Sequence, residues 1–363
     1  MRTLVLRSNR ACLDALGGFV PPPALAPALV SSLRDAGAGP VAQSRLAGSL
    51  DPQQWSADIG RLAAGLLSDH PDVELVHAMD VVAAATALSA RGSSGARVVV
   101  RAQSTGASCG SSSSPVQHPD SPLRALWPVV LRAADAVLAP TAEDARAAIA
   151  LGAPAPRVVL CPDAALISAR DCTGPGAGEA HDDAPYVLGV SGAPDQDWVR
   201  AELVTALTHD RQLRLVIASP SERDAADRRL LLQRAQAAGV QDRIQLLGQV
   251  GPQELLGWGD QARLVVATRT DPTCGLAALM AMHRARPVVA VPSASADDVL
   301  VDGVTGHLAG AGRHELSQAI CAVSHDAFRR LAWGVAGQER ARSRFAPDVV
   351  MRSLLSAYER GAA

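Results

Sequence analysis

Residues able to hold a phosphate are concentrated between Gly275 and Gly306, GLAALMAMHRARPVVAVPSASADDVLVDGVTG. Leu276, Leu279, Met280 and Met282 follow Gly275 at helical spacing. The helix should stop at Arg286, because Pro287 disfavours the helical region for the residue before it. Val288-Val289-Ala290-Val291 is a short continuous apolar run, as a parallel strand buried on both faces requires. A small-residue loop carrying Asp297 and Asp298 is expected next, then a turn at Asp302-Gly303. A helix start beside the ends of such strands presents unpaired backbone N–H groups, which favour an anion. The sequence contains no lysine, so arginine or backbone N–H must meet any phosphate, and no lysine Schiff base is possible.

Other polar residues fall where predicted strands end. His77 and Asp80 follow the run Val73 to Ala78, and Arg101 closes the strand Arg97 to Arg101, ahead of Gln103, Ser104 and Thr105. Asp195 and Asp197 spell an Asp-x-Asp, read as a polar helix cap before a metal site, with Arg200 one turn into the helix. His77, His118 and His283 lack ligand spacing to one another and read as polar surface or cleft residues. The pairs Arg223-Asp224, Asp242-Arg243 and Arg329-Arg330 read as solvated helix faces.

A chain of 363 residues that is 48% hydrophobic can bury a large core and fill two domains. Its formal charge of -2 argues against a nucleic-acid face or a strongly basic membrane-docking surface. The arginine-only, alanine-rich composition is that of a high-GC genome. Six scattered cysteines without a CxxC pair suit reduced thiols in a cytoplasmic protein. The amino terminus lacks a signal-peptide pattern, and no apolar run reaches membrane-spanning length.

Strand and helix patterns alternate on both sides of a segment rich in Gly, Pro and charge, residues 172–184. Residues 1–171 give a strand at Leu4-Val5-Leu6, a loop with Gly17-Gly18, and helices over 24–36 and 58–67. The strand at 97–101 is followed by a loop at 106–119, a helix over 123–134 and strands near 136 and 158. Trp127 is expected in the core. Thr141 with Asp144 makes a capping pattern. Residues 185–345 give strands near 187, 213, 244, 264 and 288, with helices at 199–207 and 221–238. The last segment, Asp348 to Tyr358, is amphipathic.

The stretch from Gly275-Leu276 through Ala281-Met282, Pro287-Val288-Val289 and Asp302-Gly303-Val304-Thr305-Gly306 resembles the donor-binding segment of glycosyltransferase family 4. The resemblance implies the GT-B fold: two Rossmann-like, doubly wound parallel-sheet α/β domains facing across a cleft. Residues 1–171 would be the acceptor-side domain and 185–345 the donor-side domain, with 346–363 crossing back to the first. It also implies transfer of a sugar or sugar-like group from a nucleotide-sugar co-substrate to a small-molecule acceptor. The anomeric configuration would be retained, with neither metal nor other cofactor, and a protein partner is possible. Donor contacts are expected from Gly18, Ser191, Gly192, Arg200, Gly248, Arg269, Thr273, Cys274, Gly275, Leu276 and Met280. Acceptor contacts are expected from Gly17, His77, Asp80, Gln103, Ser104 and Thr105. Arg101 and Asp271 are the catalytic candidates.

Four family positions differ here. The cations expected after the second domain's first strand fall at Gly192 and Asp197, which places a carboxylate where a diphosphate wants positive charge. The glutamate expected before Gly275 falls at Pro272, next to Asp271. The glutamate that would take the ribose hydroxyls falls at Met280, a residue at home in a core. A glycine pair falls at Ala294-Ser295. These departures leave two readings: a glycosyltransferase with altered donor recognition, which is favoured, or a catalytically inactive GT-B homologue serving as a partner or regulatory protein.

Overall fold

The computed structural model describes residues 2–7, 41–45, 55–102, 122–162, 186–190, 196–219, 225–250, 252–268, 273–310, 312 and 314–360. The expected helix over 24–36, the Gly17-Gly18 loop, the 106–119 loop and the 172–184 linker lie outside them. The chain divides into two compact units. Met1–Ile167 joins Pro347–Ala363 in one, and Ser168–Ala346 forms the other.

The first unit is a six-stranded, all-parallel sheet. Its strands are β1 (Thr3–Arg7), β2 (Val41–Arg45), β3 (Leu75–Ala78), β4 (Arg97–Arg101), β5 (Ala136–Ala139) and β6 (Val158–Leu160). Their order is β2-β1-β3-β4-β5-β6. Every residue of β3 and β5 is buried, as the unbroken apolar runs require of strands covered on both faces. Among the described residues, helices α1 (Trp55–Asp69), α2 (Val81–Ser94), α3 (Pro122–Ala133) and α4 (Ala142–Ala150) accompany them, and the C-terminal helix (Pro347–Arg360) joins the same unit. Helix α2 escaped the sequence reading because it is Ala- and Val-rich and buried over most of its surface, so it shows little periodicity. Its ends were nonetheless written in the chain. The Asp80 carboxylate accepts from the Ala83 N–H at 2.9 Å, and Gly95 closes the helix at φ 67°. Thr141 caps α4 as expected, its hydroxyl accepting from the Asp144 N–H at 3.0 Å. Trp127 is buried.

The second unit is also all-parallel. Strands β7 (Tyr186–Val190), β8 (Arg214–Ser219), β9 (Ile244–Gln249), β10 (Leu264–Ala267), β11 (Val288–Ala290) and β12 (His307–Leu308) run in the order β12-β11-β10-β7-β8-β9. The chain winds outward from β7 to β9, then returns to β10 on the other side of β7. That reversal is the switch point at which doubly wound sheets take ligands. The helices are α5 (Asp197–His209), α6 (Ala225–Ala237), α7 (Pro252–Gln261), α8 (Thr273–His283), α9 (Ala294–Val299), α10 (Glu315–His325) and α11 (Ala327–Arg344).

Helix α9 corrects the expectation of a loop. Ser293 caps it by accepting from the Ala296 N–H, and Arg340 of α11 donates to the Asp298 and Val299 carbonyls at 2.9 and 2.6 Å. Satisfying both ends turns six small and acidic residues into a helix. The solvated-face reading also fails for two arginines. Arg243 donates to the carbonyl oxygens of Asp210 and Leu213, and Arg330 to those of Val323 and Ser324.

Candidate functional site

In the second unit the predicted phosphate-binding stretch forms a junction between two helix starts. Helix α8 follows β10, the strand beside the switch point, and α9 follows β11. Gly275, in the first turn of α8, donates its N–H to the Ser295 hydroxyl at 3.1 Å. A Cβ on Gly275 would lie 2.8 Å from Ser295 Cβ and 2.9 Å from the Ser295 carbonyl oxygen, so the approach requires glycine. Ser293 Oγ stands 3.3 Å from Ser295 Oγ. The 11-residue α8 therefore directs its amino-terminal N–H groups, with two serine hydroxyls beside them, at the carboxyl-end face of the sheet. Thr273, Cys274 and Leu276 belong to this first turn. Gly248 is the penultimate residue of β9, on the far side of β8 from the switch point. Ser191, Gly192, Arg269 and Asp271 lie outside the described residues.

Asp197 is not the helix cap that its spacing suggested. The N-cap of α5 is Gln196, and Asp197 occupies the first turn. There it pairs with Arg234 at 2.7 Å and with Arg200 at 3.5 Å, while Arg200 also meets Asp227 at 3.4 Å. Two carboxylates and two guanidinium groups balance one another. The repulsion expected from a carboxylate in a cation's place is thereby largely cancelled, and the charge of Arg200 is already engaged by carboxylates. Met280 is half-buried and lines an apolar cavity of about 20 Å³ with Leu188, Leu256, Val265 and Ala277. Such a space is too small for a nucleoside.

In the first unit, Asp80 and Arg101 are both buried at the carboxyl ends of β3 and β4. Asp80 is the cap of α2. His77, expected as a polar surface or cleft residue, is buried, and its Nδ1 lies 2.6 Å from the hydroxyl of Tyr358 on the C-terminal helix (Pro347–Arg360). Burial, reinforced by the nearby Arg101 charge, lowers its pKa to about 3, so the ring is neutral. Its Nε2 is buried without a hydrogen-bond partner among the described residues. Tyr358 was not singled out from sequence, because nothing local links it to a strand 281 residues earlier. Gly17, Gly18, Gln103, Ser104 and Thr105 lie outside the described residues. Among the described residues no three His, Cys, Asp or Glu side chains gather as a metal site.

Comparison with known proteins gives a concordant picture. Residues 11–164 match the glycosyl transferase 4-like domain, and residues 190–326 match glycosyl transferases group 1. No curated protein matches in sequence. Among solved structures, sucrose-phosphate synthase from Thermosynechococcus elongatus superposes with a TM-score of 0.76 at 18% identity, covering 99% of each chain. Anabaena Alr3699/HepE, solved with UDP and glucose, gives 0.67 at 16% identity over 98% of each chain. S. aureus MnaA, solved with UDP, gives 0.62 at 16% over 98% of each. With a glycosyltransferase domain matched in each half and a doubly wound parallel sheet in each unit, the chain belongs to the GT-B glycosyltransferases related to family 4.

Proposed function

We propose that the protein transfers a hexosyl group from a nucleotide sugar, a uridine diphosphate sugar first among them, to a small-molecule acceptor with retention of configuration. The observation that carries this reading is the apposition of Gly275 and Ser295. It brings the start of α8 against the first turn of α9; the Gly275 N–H is taken by Ser295, and the other N–H groups of that α8 turn are left to receive the donor's diphosphate. In such a site the charge that develops on the departing diphosphate is stabilised by fixed dipoles at the helix end. Because the family's cation positions are Gly192 and Asp197, this chain relies on the first turn of α8 (Thr273, Cys274 and Leu276, held in place by the Gly275–Ser295 contact), aided by Arg269. Arg200 acts instead within the Asp197–Arg234–Asp227 group. Asp80 and Arg101 mark the acceptor side, and transfer proceeds without a divalent ion.

The test is calorimetric titration with UDP-, GDP- and ADP-glucose, with magnesium and with a chelator. Micromolar binding that survives chelation, followed by sugar release or transfer, is the expected outcome. Silence across the panel, combined with a stable complex with another protein, would establish the non-catalytic partner reading in its place. Arg269→Ala should weaken whatever donor binding is seen; unchanged affinity would remove Arg269 from the site.

A further inference from the structure

The junction at the start of α8 joins a helix of 11 residues to one of six, α9. Six residues make too few hydrogen bonds to stand alone, so α9 must be held from outside. Helix α11 holds it, and grips the carboxyl ends of both helices. Gln338 donates to the His283 carbonyl, the last of α8, at 2.9 Å. Arg340 donates from Nε to the Val299 carbonyl at 2.6 Å and from a terminal nitrogen to the Asp298 carbonyl at 2.9 Å. One planar fork thus takes two adjacent helix-end carbonyls, which a lysine's point charge would not match. The guanidinium is itself fixed, 5.6 Å from the ring centre of the buried Phe345. The backbones also meet closely. A Cβ on Gly334 would overlap the Ala285 carbonyl oxygen, and one on Gly337 would stand 3.2 Å from Met282 Cγ. From Arg340 to the start of α8 the path is short. Asp298 lies one turn from Ser295, and the Ser295 hydroxyl accepts the Gly275 N–H.

We propose that Arg340 is a positioning residue for the donor site: by holding the carboxyl end of α9 it sets where Ser295 stands, and Ser295 sets where the first turn of α8 points. The inference rests on the donor reading above and names the residue that keeps that site in register. Arg340 acts through Ser295, not on the donor. Groups that stabilise a departing diphosphate work only when their aim is fixed by a supporting layer, and a misplacement of about 1 Å can cost about 100-fold in rate. Without the fork, α9 keeps its Ser293 cap but loses its hold on α11. Its first turn, and with it the Gly275 contact, is then free to drift.

The experiment pairs Arg340→Met, which keeps the stem beside Phe345 and removes the fork, with Arg340→Lys, which restores a charged donor. In the free protein, hydrogen exchange read by mass spectrometry should speed about tenfold in peptides containing Gly275. Peptides from β8 and β9 should be unchanged, and Arg340→Lys should fall between Arg340→Met and the parent. Exchange unaltered at Gly275, or raised equally throughout the second unit, would overturn the proposal. Calorimetry with UDP-glucose then builds a double-mutant cycle with Ser295→Ala. Arg340→Met should weaken binding about tenfold in the parent chain, and about twofold or less once Ser295 is alanine. Equal losses in both backgrounds would mean that Arg340 does not act through Ser295, and would also overturn it. A parent chain silent to every nucleotide sugar would overturn the donor reading instead, while exchange at Gly275 still decides whether Arg340 fixes the start of α8.

Discussion

Gly275 is the residue on which the proposed donor site turns. Gly275→Ala would push a methyl group into both the side chain and the carbonyl of Ser295, so trimming Ser295 alone does not relieve it. The start of α8 must shift, at an overpacking cost of about 1–3 kcal/mol, and the N–H groups it aims shift with it. Donor affinity measured by calorimetry should fall at least about tenfold, roughly 1.4 kcal/mol, while the circular dichroism spectrum is retained. An unaltered affinity would detach the helix start from donor binding. His77 makes a separate prediction, about pH. Its folded pKa of about 3 lies below the unfolded value of 6.5, so the unfolded chain binds the extra proton between those values. The contribution of the neutral ring to stability is therefore complete above pH 6.5 and is lost as pH falls toward 3. His77→Gln, which cannot titrate, should flatten the stability profile within that window in urea titrations at stepped pH. A slope equal to that of the parent chain would mean other groups govern it.

Helices α5 and α10 run side by side and touch at three levels, each pair 115 residues apart. The Ser317 N–H and hydroxyl donate to the Glu202 carboxylate, the Cys321 thiol approaches the Ala206 carbonyl, and His325 meets Asp210 at 2.8 Å. The residue preceding α10, His314, has φ 62° and offers no side-chain cap, so a carboxylate from another helix caps α10. Glu202→Ala strips two buried donors of their acceptor and should cost about 1–3 kcal/mol in urea denaturation, with Glu202→Gln recovering part. A loss below a few tenths would show that water replaces the carboxylate. This bond also shows where sequence reading stops. Strands β7, β10 and β11 stood out because buried parallel strands are unbroken apolar runs, and α4 because Thr141 and Asp144 are neighbours. Nothing near Glu202 announces a role 115 residues away, and α10 and α11 lie beyond Gly306, where the motif read from the sequence ends. Likewise the sequence showed Asp197 as a liability, since Arg234, which balances it, is a full strand and helix further on. Local chemistry was legible; chemistry completed by the fold was not.

At the scale of the whole chain, the first unit is discontinuous: the C-terminal helix returns to it after the second unit is complete. That helix buries Val350, Met351, Leu354, Ala357 and Tyr358 against it, and the Tyr358 carbonyl accepts from Arg97. Each large apolar side chain contributes about 1.5–3 kcal/mol by burial, so the set rivals the roughly 5–15 kcal/mol by which a domain is stable at all. Removing the helix also uncovers the ring of His77. Truncation after Ala346 should therefore strip amide protection from β3, β4 and β5, as read by hydrogen exchange with mass spectrometry. The strands of the second unit, which include no residue of that helix, should keep theirs. Tyr358→Phe is the milder probe. It leaves Nδ1 of His77 without its 2.6 Å partner, at a cost of about 1–3 kcal/mol, with the packing intact. If the truncated chain protects both sheets equally, the first unit holds its own core. The returning helix would then be an accessory, and the carboxyl terminus would cease to be part of what builds the proposed acceptor side.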